Sequence, residues 1–329
     1  MTDTGNNAST EPGLQRQCPF FSFTRYTDMK ARKTKKWFDG IAYEVAFWRN
    51  VFRWKHTREG LMNWSHYGSA ITLDCFDANA FLTDVAEDHA PLVLDVGCGM
   101  SYATGNMMGA PGNMTPINLH YIDPLAHYFN EILKASRQEL PAIEFGMMEY
   151  LSAFYPHHDV DLVIIQNALD HSADPLKGIL EAIDTLRTGG ILYLKHKPNE
   201  GETEKYKGFH QWNIDIEDER LYIWNKEHRT YVDEMISAFA SIEVHRHAEG
   251  YVIAVITKKG AVEPRASVCD KPDIATLCTM MMENHRADVK LWNATKLKLS
   301  YWKYNTIQFV VQAMPWKMKM AFKKMIHQK

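Results

Sequence analysis

Between residues 91 and 258, short apolar runs alternate with segments whose apolar residues recur at helical spacing. Val160 to Gln166 is apolar without strict alternation, which is typical of a strand buried on both faces. Leu125 to Arg137 carries one apolar helical stripe. A second amphipathic helix is predicted after Val160 to Gln166, and it is expected to end at Gly189-Gly190. Further strands are predicted at Pro91–Val96, Pro116–Ile122, Ala142–Gly146 and Ile191–Leu194.

The order of these segments predicts an α/β domain over residues 89–260, with a doubly wound, mostly parallel, seven-stranded sheet. After a helix that ends near Phe239, two strand-like runs close the domain. They are Ile242–His247 and Tyr251–Thr257, separated by Glu249-Gly250, which predicts a hairpin.

Helical patterns flank this domain. Residues 1–17 are polar and are expected to be disordered. Residues 18–88 are expected to form a helical extension, which is either a lid over a ligand or a layer on the sheet edge. Four tryptophans mark this extension: Trp37, Trp48, Trp54 and Trp64. Residues 261–329 are expected to form a basic helical tail.

Charge separates the tail from the rest of the chain. Residues 289–329 contain nine lysines and no Asp, Glu or Arg, so a chain of net charge −3 leaves −12 to the remainder. In Pro315–Ile326 the apolar residues share one helical face, a pattern that suits an anionic membrane surface or a protein partner. A helix packed on the body with its lysines in solvent fits equally. Nucleic acid is not expected as a partner, because the acidic body repels phosphate.

Composition narrows the cellular setting. No secretory signal and no apolar run long enough to span a membrane are found, and the five cysteines include no CxxC pair. We therefore expect a cytoplasmic protein with reduced thiols, located at the inner face of the cell membrane if the tail binds lipid.

A glycine-rich turn follows the first strand of the domain. Asp95 precedes Gly97, Cys98 and Gly99, where glycines let the backbone approach a ligand and a following helix N-terminus is expected to supply amide donors. Asp123 ends the second strand, before Pro124, where an acid can accept hydrogen bonds from both hydroxyls of a ribose. Structural roles as a helix cap and a turn residue remain open for these two acids.

From Leu92 to Thr257 the chain resembles the class I methyltransferase family, through LDVGCG, YIDP, EFGMMEYL, IIQNALDH and LRTGGILYL. The resemblance implies that S-adenosylmethionine is the cofactor. Where many family members have an acid that binds the adenine amino group, this chain has Met147, so Glu149 or the Met148 amide is expected to replace that contact. The implied cofactor-binding residues are Asp95, Gly97, Cys98, Gly99, Asp123, Pro124, Met148, Glu149 and Asn167.

A finer resemblance, through YEVAFW, NALDHSADP and NEGETEKYKGFHQWNID, is to methyltransferases associated with bacterial polysaccharide and lipopolysaccharide assembly. It implies O-methylation of a glycan or glycoconjugate. An indole can stack on a sugar face while amides bind its hydroxyls. The expected acceptor-binding residues are Glu200, Gln211, Trp212 and Asn213.

A hydroxyl acceptor must lose its proton, so a base is expected near the ends of the fourth and fifth strands. His171 with Asp170, and His210, are the candidate catalytic residues, and His196 is a weaker candidate. Helix capping by His171 and a buried polar loop around His210 remain open. No metal is expected, since no known ligand spacing is present.

Three other functions were considered, of which two remain open and one is disfavoured. A small metabolite, a lipid or a protein as the acceptor remains open, as does a non-catalytic subunit that binds cofactor and recruits a partner. An NAD-dependent oxidoreductase is disfavoured, because Tyr102 stands where the GxGxxG motif has its last glycine.

Overall fold

The computed structural model describes residues 40–63, 65–262, 295–315 and 317–318. The predicted disordered segment 1–17, Trp37, Trp64 and most of Pro315–Ile326 lie outside the described residues. The N-terminal extension contains three helices within its described part: α1 (residues 40–53), α2 (Lys55–Met62) and α3 (Ala78–Val85).

The central domain follows, with twelve strands among the described residues. Its first half contains β1 (Leu92–Val96), β2 (Met107–Met108), β3 (Thr115–Pro116), β4 (Asn118–Asp123), α4 (Ala126–Ala135), β5 (Glu144–Phe145), α5 (Leu151–Phe154) and β6 (Val160–Gln166). Its second half contains α6 (Pro175–Thr185), β7 (Leu186–His196), α7 (Glu200–Thr203), β8 (Asn213–Glu217), β9 (Arg220–Trp224), β10 (Arg229–Tyr231), α8 (Val232–Ile236), β11 (Ala240–Arg246) and β12 (Val252–Lys258). A helix near the C-terminus, α9, spans Thr295–Ala313.

Seven strands form the main sheet in the order β11-β12-β7-β6-β1-β4-β5. The five from β7 to β5 are parallel, whereas β12 runs antiparallel to both β7 and β11. This arrangement confirms the predicted doubly wound, mostly parallel sheet and its closing hairpin. The strand order changes direction at β1, so the carboxyl ends of β1, β4 and β6 meet at the edge where such folds bind ligands.

Both faces of the sheet are buried. Leu94 and Val96 of β1 face one apolar core with Ile179 and Ile183 of α6, whereas Val93 faces a second core that includes Leu82 of α3. The continuous apolar run of β6 follows from the same arrangement, because its side chains enter both cores.

Two sequence-based boundaries were wrong. Gly189-Gly190 does not end a helix: α6 ends at Thr185, and the two glycines lie within β7. Gly189 has φ +80°, and the pairing register with β6 shifts there, so the glycines accommodate a bulge. The predicted strand Ala142–Gly146 is reduced to Glu144–Phe145.

The expected helix after the glycine-rich turn is absent from the described residues between β1 and β4, which form turns, loop and the β2–β3 hairpin instead. Gly105, Gly109, Pro111, Gly112 and Pro116 interrupt this stretch, and each disfavours a helix interior. Among the described residues, a helix N-terminus therefore does not supply amide donors beside the turn.

Helix α9 packs against α1 from the opposite end of the sequence. Asn50 Nδ2 donates to Asn305 Oδ1 over 2.9 Å, and the rings of Tyr43 and Tyr304 lie 4.9 Å apart. Trp302 of the same helix is 68% exposed. Within the described residues, no helix has both the length and the apolar character needed to cross a bilayer.

Candidate active site

The glycine turn at the end of β1 has a backbone that only glycine accommodates. Gly97 has φ +71°, and a Cβ there would lie 2.5 Å from the Cβ of Ala168. Gly99 has φ +55°, and a Cβ there would lie 2.9 Å from Cζ2 of Trp48. The amides of Gly97 and Cys98 both donate to the carbonyl of Ile122. These contacts join the turn to the end of β4, where the predicted ribose acid lies.

Asp123 lies against this turn. Its Oδ2 accepts a hydrogen bond from the Gly99 amide over 3.1 Å, and its Oδ1 accepts one from the Leu125 amide over 2.8 Å. Burial raises the pKa of Asp123 to about 7, although the amides of Leu125 and Gly99 oppose the rise. Each carboxylate oxygen has a second lone pair, so two further donors can still bind. Pro124 directly follows Asp123, in the turn that comes after β4.

Asp95 and Cys98 are buried beneath the turn. Burial raises the pKa of Asp95 to about 6, and a hydrogen bond from Thr104 opposes the rise. Burial, reinforced by the charges of Asp123 and Asp95, keeps the pKa of the Cys98 thiol well above its ordinary value. The thiol is therefore protonated, and Cys98 contributes its backbone. Thr104 was missed by the sequence reasoning, which had no signal for it because the loop after the turn was expected to be helical.

The predicted adenine-binding residues Met148 and Glu149 connect the glycine turn and the loop after β6 to their surroundings. The Met148 side chain packs under Gly97 and against Gly178. Glu149 is buried, and its Oε1 accepts hydrogen bonds from the amides of Ala173 (2.8 Å) and Asp174 (3.4 Å). Glu149 is thus already engaged by the loop that follows β6, and contact of either residue with adenine stays a prediction.

Helix α1 covers the glycine turn. The Trp48 indole lies against Gly99, and its Nε1 donates to Glu44 Oε1 over 2.8 Å. Ile41 and Phe52 of α1 share one apolar cluster with Cys98 and Phe209. The N-terminal extension therefore lies against the turn and shares an apolar cluster with the loop that carries His210, and its role as a lid stays a prediction.

Asp170, His171 and His210 form one cluster at the ends of β6 and β7. His210 Nδ1 lies 2.8 Å from Asp170 Oδ2, and His171 Nε2 lies 3.1 Å from His210 Nδ1. Burial lowers the pKa of His210, but the hydrogen bond to Asp170 and the negative charges of Asp170, Glu200 and Glu204 together outweigh burial, so the pKa is raised. Burial likewise opposes ionisation of Asp170, yet the neighbouring His171 and His210 lower its pKa. The three predicted catalytic residues are thus brought together.

Three further predicted residues lie near this cluster. Asn167 has φ +48°, and its Oδ1 accepts a hydrogen bond from the Lys197 amide, which ties the end of β6 to the end of β7. Glu200 Oε2 lies 3.9 Å from His210 Nδ1. His196 is 2% exposed, and neither ring nitrogen has a hydrogen-bond partner.

Burial of Trp212 and Asn213 speaks against their predicted sugar-binding roles, whereas a sugar contact of the half-buried Gln211 stays a prediction. Trp212 is 6% exposed and packs in the core with Ile214, so its indole has no free face to offer a sugar. Gln211 Nε2 donates to the carbonyls of Tyr206 and Gly208. Asn213 is fully buried: its Nδ2 donates to the Tyr206 hydroxyl, and its Oδ1 accepts from the Glu202 amide. All three shape the loop that presents His210.

An open cavity of about 260 Å³ lies beside the cluster, on the side of Glu200. The sequence reasoning missed it, because its walls come from segments far apart in sequence. Charged and hydroxyl-bearing side chains contribute to its lining, which consists of Lys197, Pro198, Glu200, Thr203, Glu249, Gly250 and Tyr251. Such a surface can bind a hydroxyl-rich molecule through both donors and acceptors.

Comparison with known proteins shows what part of the chain is similar to. Residues 94–194 match the family model described as a methyltransferase domain. Over 115 residues the chain is 32% identical to the tRNA U34 carboxymethyltransferase of Cellvibrio japonicus strain Ueda107. This alignment covers 32% of each chain, so the present chain spans about a third of the length of that curated relative.

Two solved structures to which the chain is similar are also methyltransferases by their descriptions. An S-adenosylmethionine-dependent methyltransferase from Clostridium acetobutylicum is 13% identical, with a TM-score of 0.33 over 56% of this chain and 94% of that one. An amino pentose methyltransferase from Micromonospora echinaspora with bound cofactor is 15% identical, with a TM-score of 0.32 over 56% and 93%. The matched residues 94–194 run from β1 into β7 and include the glycine turn, Asp123 and Asp170. This part of the chain therefore resembles a methyltransferase domain.

Proposed function

We propose that this methyltransferase domain transfers a methyl group from S-adenosylmethionine to a hydroxyl oxygen of a glycan or glycoconjugate. One observation carries the proposal: Asp123 lies against the glycine turn, with lone pairs available for two ribose hydroxyls. The finer choice of a glycan rests on the resemblance of the NALDHSADP and GFHQWN segments to polysaccharide-associated enzymes and on the polar cavity beside the cluster.

The residues of the turn fit the cofactor. Gly97 and Gly99 allow a tight turn that a side chain would prevent, because a Cβ at either position would collide with Ala168 or Trp48, and Asp95 and Asp123 place two buried carboxyl groups beside this turn. When bound, S-adenosylmethionine supplies a methyl carbon attached to a sulfonium sulfur. The acceptor oxygen bonds to that carbon while the carbon–sulfur bond breaks, and the sulfur keeps the electron pair of the broken bond. The chain itself needs to align the acceptor and to receive its proton.

The cluster of Asp170, His171 and His210 is the site where the acceptor hydroxyl loses its proton. It lies at the ends of β6 and β7, next to the glycine turn, because parallel strands end at one edge of the sheet. Asp170 fixes the His210 ring through the 2.8 Å contact to Nδ1. Such orientation of an imidazole by a carboxylate is a common feature of acid–base sites.

The cavity beside Glu200 is the proposed acceptor site. Lys197, Thr203 and Glu249 offer donors and acceptors suited to sugar hydroxyls, and Tyr251 offers an aromatic ring. Two glutamates against one lysine disfavour a polyphosphate such as tRNA, the substrate named for the relative from Cellvibrio japonicus. Trp48 and the rest of α1 are the proposed lid that excludes water during transfer.

We also propose that the C-terminal region docks on the anionic inner face of the cell membrane. Trp302 and Ile307 of α9 are exposed apolar residues, and Lys303 lies among them. Each lysine near an anionic surface contributes on the order of 1 kcal/mol. Sedimentation of the full chain with vesicles that contain anionic lipid, compared with neutral vesicles, tests this docking.

An acceptor screen tests the enzymatic proposal. The full chain is incubated with methyl-labelled S-adenosylmethionine and, in separate arms, with bacterial polysaccharide, lipopolysaccharide, tRNA or a metabolite mixture. Label transferred to a glycan arm, and lost in Asp123→Asn, supports the proposal. Transfer to tRNA or to a metabolite with no glycan methylation would replace the glycan assignment.

A further inference from the structure

The contacts within the Asp170 cluster are difficult to satisfy with hydrogen bonds alone. Asp170 Oδ2, His171 Nε2 and His210 Nδ1 lie 2.8, 3.1 and 3.6 Å from one another. Each of these atoms presents a lone pair unless it carries a proton, and a proton on His210 Nδ1 can point along only one direction. Three acceptor atoms that converge on one point are the arrangement of a cation site.

The spacing also fits metal coordination. A point equidistant from the three atoms lies about 1.9 Å from each of them, slightly inside the bond lengths of about 2.0–2.2 Å that zinc makes with imidazole nitrogen and carboxylate oxygen. An ion seated about 1 Å out of their plane would reach all three at normal bond length and keep an open coordination position.

His196 supplies an independent observation. It is 2% exposed, and both its ring nitrogens are without a hydrogen-bond partner. Its ring is close enough to Asp170 and His171 for their charges to act on it. A buried imidazole without partners is unfavourable unless a bound group satisfies it. A metal ion at the cluster, or a water bound to that ion, would provide such a partner.

We propose that Asp170, His171 and His210 bind a divalent transition-metal ion, with zinc as the best match to two imidazoles and one carboxylate. The ligands come from two loops, Asp170–His171 after β6 and His210 before β8, which explains why no ligand spacing is apparent in the sequence. Metal binding does not depend on methyl transfer. Its use rests on the proposed function: an acceptor hydroxyl on the open position would have a lowered pKa, so that it loses its proton more readily.

The test uses the full chain, without an affinity tag and after dialysis against a chelator. Zinc binding is measured by calorimetry, stoichiometry by elemental analysis, and geometry from the visible absorption of the cobalt-loaded protein. We expect one zinc ion per chain. Loss of a ligand in His171→Ala, His210→Ala or Asp170→Asn should weaken binding by more than about 100-fold, because outer-shell changes alone cost about 10–100-fold. His196→Ala should weaken it by about 10-fold.

His127→Ala, which removes an exposed histidine on α4, is the matched control and should bind zinc as the wild type does. Circular dichroism and S-adenosylmethionine binding show whether each variant is folded. Zinc binding that is absent from the wild type, or unchanged in all three ligand variants, overturns the proposal. Either result leaves the cofactor site untouched, because Asp123 and the glycine turn are measured separately by cofactor binding.

Discussion

The amide of Gly99 donates a hydrogen bond to Asp123 Oδ2 over 3.1 Å, and this contact joins the end of β1 to the end of β4. It fixes the carboxylate beside a turn with too little room for a side chain. Because burial favours the neutral form of this acid, its charge state depends on pH near neutrality. The cofactor site should therefore be sensitive to pH in a range that is convenient to measure.

Cofactor affinity should rise with pH. Ribose hydroxyls bind ionised Asp123 best, and its pKa of about 7 in the free protein means that the neutral form prevails below that pH. S-adenosylmethionine should therefore bind about tenfold more weakly at pH 6 than at pH 8. In the free protein, the stability gained from neutral Asp123 is present below pH 4 and is lost as pH rises through 7. Calorimetric titrations across this range check the affinity, and Asp123→Asn should flatten the dependence.

Trp48 should report cofactor binding by fluorescence. Its indole lies against Gly99, so a ligand entering the turn changes its surroundings. We expect S-adenosylmethionine to change the intrinsic tryptophan emission and Trp48→Phe to lose most of that change. Trp302→Phe, which alters an exposed indole on α9, is the control and should keep it. An unchanged response in Trp48→Phe would mean that α1 does not cover the cofactor.

Loss of His210 should separate catalysis from cofactor binding. His210→Ala removes the ring that Asp170 orients, so kcat on the acceptor found by screening should fall about 100-fold or more. The dissociation constant of S-adenosylmethionine should stay within about twofold of the wild-type value. The reason is that a substitution away from the glycine turn should change the free energy of cofactor binding by less than about 0.5 kcal/mol. Steady-state kinetics with calorimetry checks both. A variant with full kcat would place the proton acceptor elsewhere.

The buried carboxylate of Asp161 should be important for stability. It accepts hydrogen bonds from the Leu92 amide (2.8 Å) and Arg187 Nε (2.5 Å) and contacts His89 (3.0 Å), which joins three parts of the sheet. Asp161→Ala should lower the free energy of unfolding by about 2–4 kcal/mol, because it leaves a buried donor unsatisfied. Urea unfolding measures this loss, and the exposed Asp159→Ala should change stability by less than about 0.5 kcal/mol.

Much of the fold was predictable because local patterns determine it. The apolar run Val160–Gln166 is a buried strand with the predicted bounds, and the closing hairpin pairs as expected. The three-stranded sheet β8–β9–β10 was not predicted, although its signal was present. Apolar residues alternate in β8 and β9, and Asp218 and Glu219 between them both have positive φ, as in a tight hairpin turn.

The candidate site was predictable only in part, because it depends on tertiary contacts between distant segments. Asp123 and the glycine turn are close because neighbouring parallel strands end together, which the strand order implies. The convergence of His171 and His210 depends on a loop closed by Gln211 and Asn213, whose side chains are used internally. Residue type alone could not distinguish amides that bind a sugar from amides that hold a loop.

Calorimetric titration of the full chain with S-adenosylmethionine, S-adenosylhomocysteine and NAD is the most direct test of the central claim. We predict that the first two bind with one site per chain and that NAD does not. Asp123→Asn should weaken both by about tenfold or more, because hydrogen bonds to a charged group contribute about 1.5–3 kcal/mol. Binding of NAD, or an affinity for S-adenosylmethionine that Asp123→Asn leaves unchanged at pH 8, would contradict the account.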